Sequence, residues 1–471
     1  MIIEHPFVPR RIKLAWLFDS YKYSQHKQYP PGLEYLYSYM ATRYSKDFIN
    51  AVFFGLQFQL KQYFSEPFTK EDIMELKADV DKHMGPGVFH EKGFLEMLNE
   101  YGGYFPVEIK AVPEGTVLPL HAPMMDVVNT NNKYGWITNP LESFLVQNWY
   151  GTTVATQSRH IKEFLLGIAE SEGMDLSLVD FKLHDFGLRG VSSAESAGIG
   201  GLAHLTSFKG TDTFIACKFG QWFYHEDMAG FSIPASEHST MTAWLRTGEA
   251  QAFGNMLDQY PTGMAAVVSD QWDIRHACKE IWGNQLKQKV MEREGSVIIR
   301  FDSGNPIQDI LLEGLVILGE RFGYTTNIKG YKILNPHVRV IQGDGIGRDS
   351  IKVITNHLHN AGWGLENYGF GSGGKLLQFL SRDELGINFK ASHAIVNGEE
   401  REVYKEPITD PGKNSKKGRL ALIQQDMGGY EVLEHLGVND VVKDNLLRPV
   451  YRDGQILVDD TFADIRARAS F

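Results

Sequence analysis

Five short apolar runs in the sequence end in residues able to hold phosphates, sugar hydroxyls or a metal ion. They are Asp185, Asp270, Arg300 with Asp302, Gly343-Asp344-Gly345 and Gly371-Ser372-Gly373-Gly374. Carboxylates can hold ribose hydroxyls or Mg²⁺, arginines pair with anions, and glycine loops that run into a helix present backbone N–H groups to phosphate oxygens. At any single site the plainer explanation is a tight turn with a helix cap. Five in series weaken that explanation, and the assortment points to a phosphosugar. The loop Gly369 to Lys375 matches both G-x-G-x-x-G and G-x-x-x-x-G-K. A dinucleotide fingerprint belongs to the first strand–helix unit, however, and a Walker loop needs Ser or Thr where Leu376 stands. What the two motifs share is a phosphate cradle. Arg382, Lys390, Lys405, Lys413 and the run Lys416 to Arg419 follow and can reach the same anion, although a solvated charge run is the plainer reading of 413 to 419. His238 stands in a small-residue turn at a helix start, with no second His at metal spacing. Neither G-x-S-x-G nor H-E-x-x-H occurs.

These residues need a scaffold that brings strand ends together. From about Ala155, short apolar runs alternate with amphipathic stretches of roughly ten residues or more, the pattern of parallel βαβ units closing into a barrel or a doubly wound sheet. The predicted strand–helix pairs begin at Phe181, Phe231, Met264, Ser296, Val338 and Asn367, with helices over Ser192 to Leu205 and Ser239 to Leu257 among them. After Asp302, Asn305 is expected to cap a helix whose buried face is Ile307, Ile310, Leu311, Leu315 and Leu318. In such folds ligands sit at the carboxyl ends of the strands. The first 150 residues are richer in Tyr and Phe, carry a charged helical stretch from Lys70 to Lys82, and read as α+β. Thr409 to Lys417 reads as a loop.

Composition narrows the partners. With 47 Lys+Arg against 58 Asp+Glu the net charge is −11, which argues against nucleic acid and anionic membranes, both of which demand a basic face. Cys217 and Cys278 are too far apart for a C-x-x-C pair and too few for a disulfide scaffold, so a reducing compartment is expected. Met1 to Lys13 has no apolar leader core and no run reaches the ~18 apolar residues of a spanning helix. A cytoplasmic protein is the expectation.

Several ordered segments resemble the nicotinamide phosphoribosyltransferase family, over nearly the whole chain. They are Asp19-Ser20-Tyr21-Lys22 with Gln28-Tyr29-Pro30-Pro31, His184-Asp185-Phe186-Gly187 with Arg189 to Ser193, Phe208 to Thr213, Glu237-His238-Ser239-Thr240, Arg300 with Asp302 to Pro306, Gln342-Gly343-Asp344-Gly345, and Gly371 to Gly374. The resemblance implies an irregular α/β barrel of the type II phosphoribosyltransferase kind, spanning 151–390. An additional α+β domain would be built from 1–150 with 391–471 packed on it. It also implies a homodimer with shared sites, and condensation of nicotinamide with phosphoribosyl pyrophosphate in NAD salvage.

On the same resemblance, Phe186 and a second subunit's Tyr21 stack on the pyridine, and Asp212 accepts from the carboxamide. Arg189 and Arg300 serve the base and pyrophosphate region. Asp302, Gly343 and Asp344 serve the ribose hydroxyls and Mg²⁺ carried by the substrate. Gly373, Gly374, Arg382 and Lys390 grip the 5′-phosphate. His238 is the implied phospho-acceptor through which ATP is coupled to synthesis, and Asp270 is a metal-side or His-orienting carboxylate. Departures from the family pattern are Phe18 for Thr, Phe301 for Pro, and Asn388 for a phosphate-binding Ser, with the Asn388 amide expected to donate instead. A nicotinate-using relative and a non-catalytic signalling or binding relative remain alternatives. Asp212 argues against the first, because nicotinate brings a second carboxylate against it.

Overall fold

The computed structural model describes residues 11–409, 414–426 and 428–471. Pro411, Gly412, Lys413 and the first ten residues lie outside these. The chain divides into two compact units, one of Met1–Thr153 with Ser381–Arg468 and the other of Val154–Leu380 with Ala469–Phe471.

The first unit is built on a seven-stranded sheet. Its strands run, in spatial order, Glu399–Glu402, Asn388–Val396, Leu33–Ala41, Pro123–Asn129, Val107–Ala111, Arg448–Arg452 and Gln455–Ile456. Neighbours pair antiparallel, so joining residues from both ends of the chain needs no helical crossover. The tyrosines of Leu33–Ala41 tie down the downstream segment: the Tyr37 and Tyr39 hydroxyls accept from the backbone N–H of Leu420 and Lys416 at 3.1 and 3.0 Å. The charged stretch at 70 is a helix, Lys70–Met84. It opens on a Thr69–Asp72 capping box and buries Ile73, Leu76 and Val80.

The second unit is a curled parallel sheet of six strands, ordered Gly210–Thr211, Leu183–Asp185, Tyr368–Ser372, Val338–Gln342, Val297–Phe301 and Ala265–Val268. Helices such as Ile307–Phe322 and Arg348–Asn360 cross between them. Leu311, Leu315 and Leu318 form the buried stripe expected of the first. Its cap differs from expectation: Pro306, not Asn305, is the residue before the first turn.

The predicted strand at Phe231 to Pro234 is not a regular strand. Phe231 bridges Gly210 and Ala235 bridges Ala266, so the segment links the two edge strands and closes the sheet into a barrel. Pro234 has no N–H for a ladder, but its carbonyl accepts from Ala266 at 2.9 Å. The barrel is irregular for that reason. The expected helix from Ser239 to Leu257 is also broken. His238–Thr242 and Glu249–Gln259 are separate helices, because Leu245 takes φ 61° and turns the chain between them. Both cysteines are buried and form no disulfide, and no helix among the described residues is long and apolar enough to cross a membrane.

Candidate active site

Backbone pairing in the barrel unit decides which side chains meet. Ser236 N–H donates to Ala266 O at 2.9 Å, and the Ser236 hydroxyl accepts from Val268 N–H at 2.9 Å. That register delivers His238, two residues on, to Asp270, two residues past the neighbouring strand. His238 Nε2 lies 3.1 Å from Asp270 Oδ1. Ser269 N–H in turn donates to Arg300 O, and Gly343 N–H to Phe301 O, both at 3.0 Å, so the next two strand ends are held level. Arg300 donates to both oxygens of Asp302 at 2.9 Å, and Asp302 Oδ2 lies 3.8 Å from His238 Nδ1. The histidine thus has one nitrogen on each of two carboxylates. Its side chain is 47% exposed, whereas that of Asp270 is 4% exposed.

The Arg300 guanidinium carbon lies 5.5 Å from the centre of the Phe186 ring. Arg300 Nε is buried without a hydrogen-bond partner in the structure, a polar atom whose burial calls for a ligand. Two glycines are sterically required here. A Cβ on Gly371 would lie 1.9 Å from the Phe186 ring, and one on Gly343 would lie 2.7 Å from Asp302 Oδ1. Phe186 is therefore half-exposed over a glycine floor, its N–H donated to Ser372 O at 2.9 Å.

Asp212 is exposed just past its strand, accepts from the Ser232 hydroxyl, and donates its N–H to Asp185 O at 2.9 Å. Arg189 belongs with the glycine loop: it is exposed on the turn Leu188–Gly190, where a Cβ on Gly190 would lie 3.1 Å from Gly374. Gly373 and Gly374 open the turn that follows Ser372, and Asp344 is exposed beside Gly343. The Asp185 carboxylate does not face the cleft, contrary to its reading as a ligand-holding strand end. It is completely buried. Strand periodicity predicts the strand but not the direction taken by its last residue.

The first unit carries a pocket of about 910 Å³, lined by the cations Arg43, Arg382, Lys390 and Lys405 beside Asn388 and Tyr404, with Glu142 and Asp383 also on its wall. Pairing of Ala41 with Asn388 brings Arg43 there. Burial, then the neighbouring Arg43 and Lys405, push the Lys390 ammonium down to about 8. Asn388 does not act as expected. Its amide donates to Ala41 O at 3.0 Å and Gly386 O at 3.1 Å, which uses both of its N–H groups on backbone. Tyr21, 57% exposed, rides on the turn Ser20–Lys27, which the buried Lys22 anchors through Glu142 at 2.6 Å and Asn139 O at 2.7 Å. Arg43 and Ser232 are absent from the sequence-based set. Arg43 could have been found from the strand that precedes it, Ser232 only from the barrel closure.

The description "Nicotinate phosphoribosyltransferase (NAPRTase) family" belongs to a sequence model that matches residues 181–455, and "Nicotinamide phosphoribosyltransferase, N-terminal domain" to one that matches 13–109. A nicotinamide phosphoribosyltransferase of Xanthomonas campestris is 42% identical over 96% of this chain and 97% of its own length. One from Acinetobacter baylyi is 31% identical over 97% of each. Among solved structures, the nicotinate-nucleotide pyrophosphorylase of Pyrococcus furiosus superposes with a TM-score of 0.60 at 14% identity, over 99% of this chain and 97% of that one. Human nicotinic acid phosphoribosyltransferase superposes with a TM-score of 0.53 at 14% identity, over 96% and 92%. These two likenesses bear on the fold.

The pocket itself makes a pH prediction. Lys390 is charged below about 8 and neutral above it, so sulfate binding weakens as pH rises through that value, by roughly tenfold for one lost charge-assisted hydrogen bond. Calorimetric titration with sulfate on either side of that pH checks this. Lys390→Met should abolish the step, and an identical pH response in wild type and variant would remove Lys390 from the anion site.

Proposed function

Because the chain belongs to the nicotinate phosphoribosyltransferase family, whose fold and phosphoribosyl-transfer chemistry it shares, we propose that it condenses nicotinamide with phosphoribosyl pyrophosphate, giving nicotinamide mononucleotide and pyrophosphate for NAD salvage. The observation that carries this reading is the cluster at the barrel mouth, where an aromatic face, a guanidinium with an unpartnered Nε and a carboxylate adjoin a glycine floor. The pyridine nitrogen attacks C1′ with its own lone pair as the C1′–O bond to pyrophosphate breaks, so no general base is needed. The ring becomes cationic as the bond forms, and the Phe186 face favours that charge by about 0.5–2 kcal/mol. Arg300 meets the departing anion and Gly373–Gly374 hold the 5′-phosphate. Asp302 and Asp344 would be the carboxylates that hold a Mg²⁺ ion arriving with the substrate, and the metal would supply charge neutralisation of the leaving group.

Asp212, its carboxylate bonded by Ser232, reads the amide by accepting its N–H. Nicotinate offers a second anion there instead. Asp212→Asn should shift the ratio of nicotinate to nicotinamide turnover upward by roughly tenfold, in an assay of pyrophosphate release. An unchanged ratio places specificity elsewhere, and no release from nicotinamide by the wild-type protein refutes the enzyme reading.

His238 is the proposed acceptor of a phosphoryl group from ATP. With Nε2–H donated to Asp270, the Nδ1 lone pair is the nucleophile: an N–P bond forms, the β–γ P–O bond breaks and ADP leaves. His238→Ala should lose stimulation by ATP while retaining basal synthesis. Stimulation that survives the substitution rules the role out.

Two copies of the chain complete each site, with Tyr21, Arg382 and Lys390 of one serving the barrel of the other. Co-expressed Asp302→Ala and Arg382→Ala chains, each inactive alone, should then recover about a quarter of wild-type turnover. No recovery would mean that each chain works with its own residues.

A further inference from the structure

We propose that Asp185 is the positioning residue that sets the spacing between the ring-stacking Phe186 and the amide-reading Asp212. The assignment rests on the function proposed above and names what holds its two specificity groups in register.

A buried carboxylate is costly unless something needs it. Asp185 is wholly buried, and the groups acting on it are a backbone amide, two hydroxyls and a second carboxylate, with no cation among them. Burial pushes its pKa up to about 6, so the fold keeps the group against an electrostatic penalty that an apolar side chain would avoid. What the carboxylate does is local. Oδ1 accepts from Gly187 N–H at 2.7 Å, which fixes the backbone immediately after Phe186. Oδ2 accepts from the Thr211 hydroxyl at 3.5 Å. Thr213 N–H donates to Thr211 Oγ1 at 3.0 Å, so the hydroxyl that meets Oδ2 also holds the backbone just past Asp212, while Asp212 N–H bonds the main-chain carbonyl of Asp185 at 2.9 Å.

Two glycines pack close around this group: a Cβ on Gly187 would lie 2.6 Å from Leu377 and 2.9 Å from Oδ1, and one on Gly201 would lie 2.8 Å from Ala216 and 3.0 Å from Oδ2. Phe186 and Asp212 are thus carried on two loops that a single buried residue clamps, one oxygen to each loop. Substitution at Asp185 should therefore disturb recognition of the pyridine and leave recognition of the phosphosugar intact.

Steady-state kinetics of Asp185→Ala test this, with both substrates varied. The expected result is a rise in KM for nicotinamide of roughly 10- to 100-fold, an unchanged KM for phosphoribosyl pyrophosphate, and a larger relative use of nicotinate. Asp185→Asn keeps an acceptor for Gly187 and should recover most of the loss. If Asp185→Ala does not fold, Thr211→Val removes the hydroxyl facing Oδ2 while sparing the carboxylate, and should show the same split in weaker form. Equal rises in both KM values, a fall in kcat alone, or unchanged kinetics would each overturn the assignment while leaving the enzyme's function standing. Absence of any turnover by the unsubstituted protein would overturn both.

Discussion

The Arg300–Asp302 ion pair is the contact on which the barrel mouth depends. One guanidinium nitrogen holds both oxygens of Asp302 at 2.9 Å, and the same guanidinium lies over Phe186. Asp302 meets His238 on its other side. Removing any Cβ-sized volume from this arrangement would loosen it, and adding one at Gly343 or Gly371 is sterically forbidden. Four neighbouring strands thus converge on one small volume because the parallel register keeps their ends level.

Barrel closure does a second job. The segment from Phe231 to Ala235 bridges both edge strands, and it is also the segment that carries Ser232 to Asp212 and leads into His238. A regular strand there would have alternated its side chains in and out. The proline-interrupted path instead aims Ser232 at Asp212 and His238 at Asp270 a few residues apart, so irregularity in the scaffold is tied to the chemistry at its rim.

Net charge says little about such a protein's ligands. The chain is acidic overall at −11, yet Arg43, Arg382, Lys390 and Lys405 line one pocket, where burial, then Arg43 and Lys405, lower the basicity of Lys390. Local concentration of like charge has a cost that an incoming anion relieves, and that cost is visible in Lys390 and not in the composition.

Chain order alone was sufficient to locate five of the six parallel strands, the helix at 307 with its buried leucines, and the strand-end residues Asp270, Arg300, Asp302 and Gly343, because hydrophobic period and strand-end position are local properties. It was also sufficient for the family, through motifs spread along nearly the whole length. Direction and pairing needed the folded chain. Only the tertiary structure turned Asp185 inward, engaged the Asn388 amide on backbone carbonyls, broke the helix at Leu245, joined Ser232 to Asp212 and brought Arg43 into the anion pocket. Each of these is a choice among partners distant in sequence, made by packing and hydrogen-bond satisfaction in three dimensions, and a one-dimensional pattern of residue types leaves such choices open.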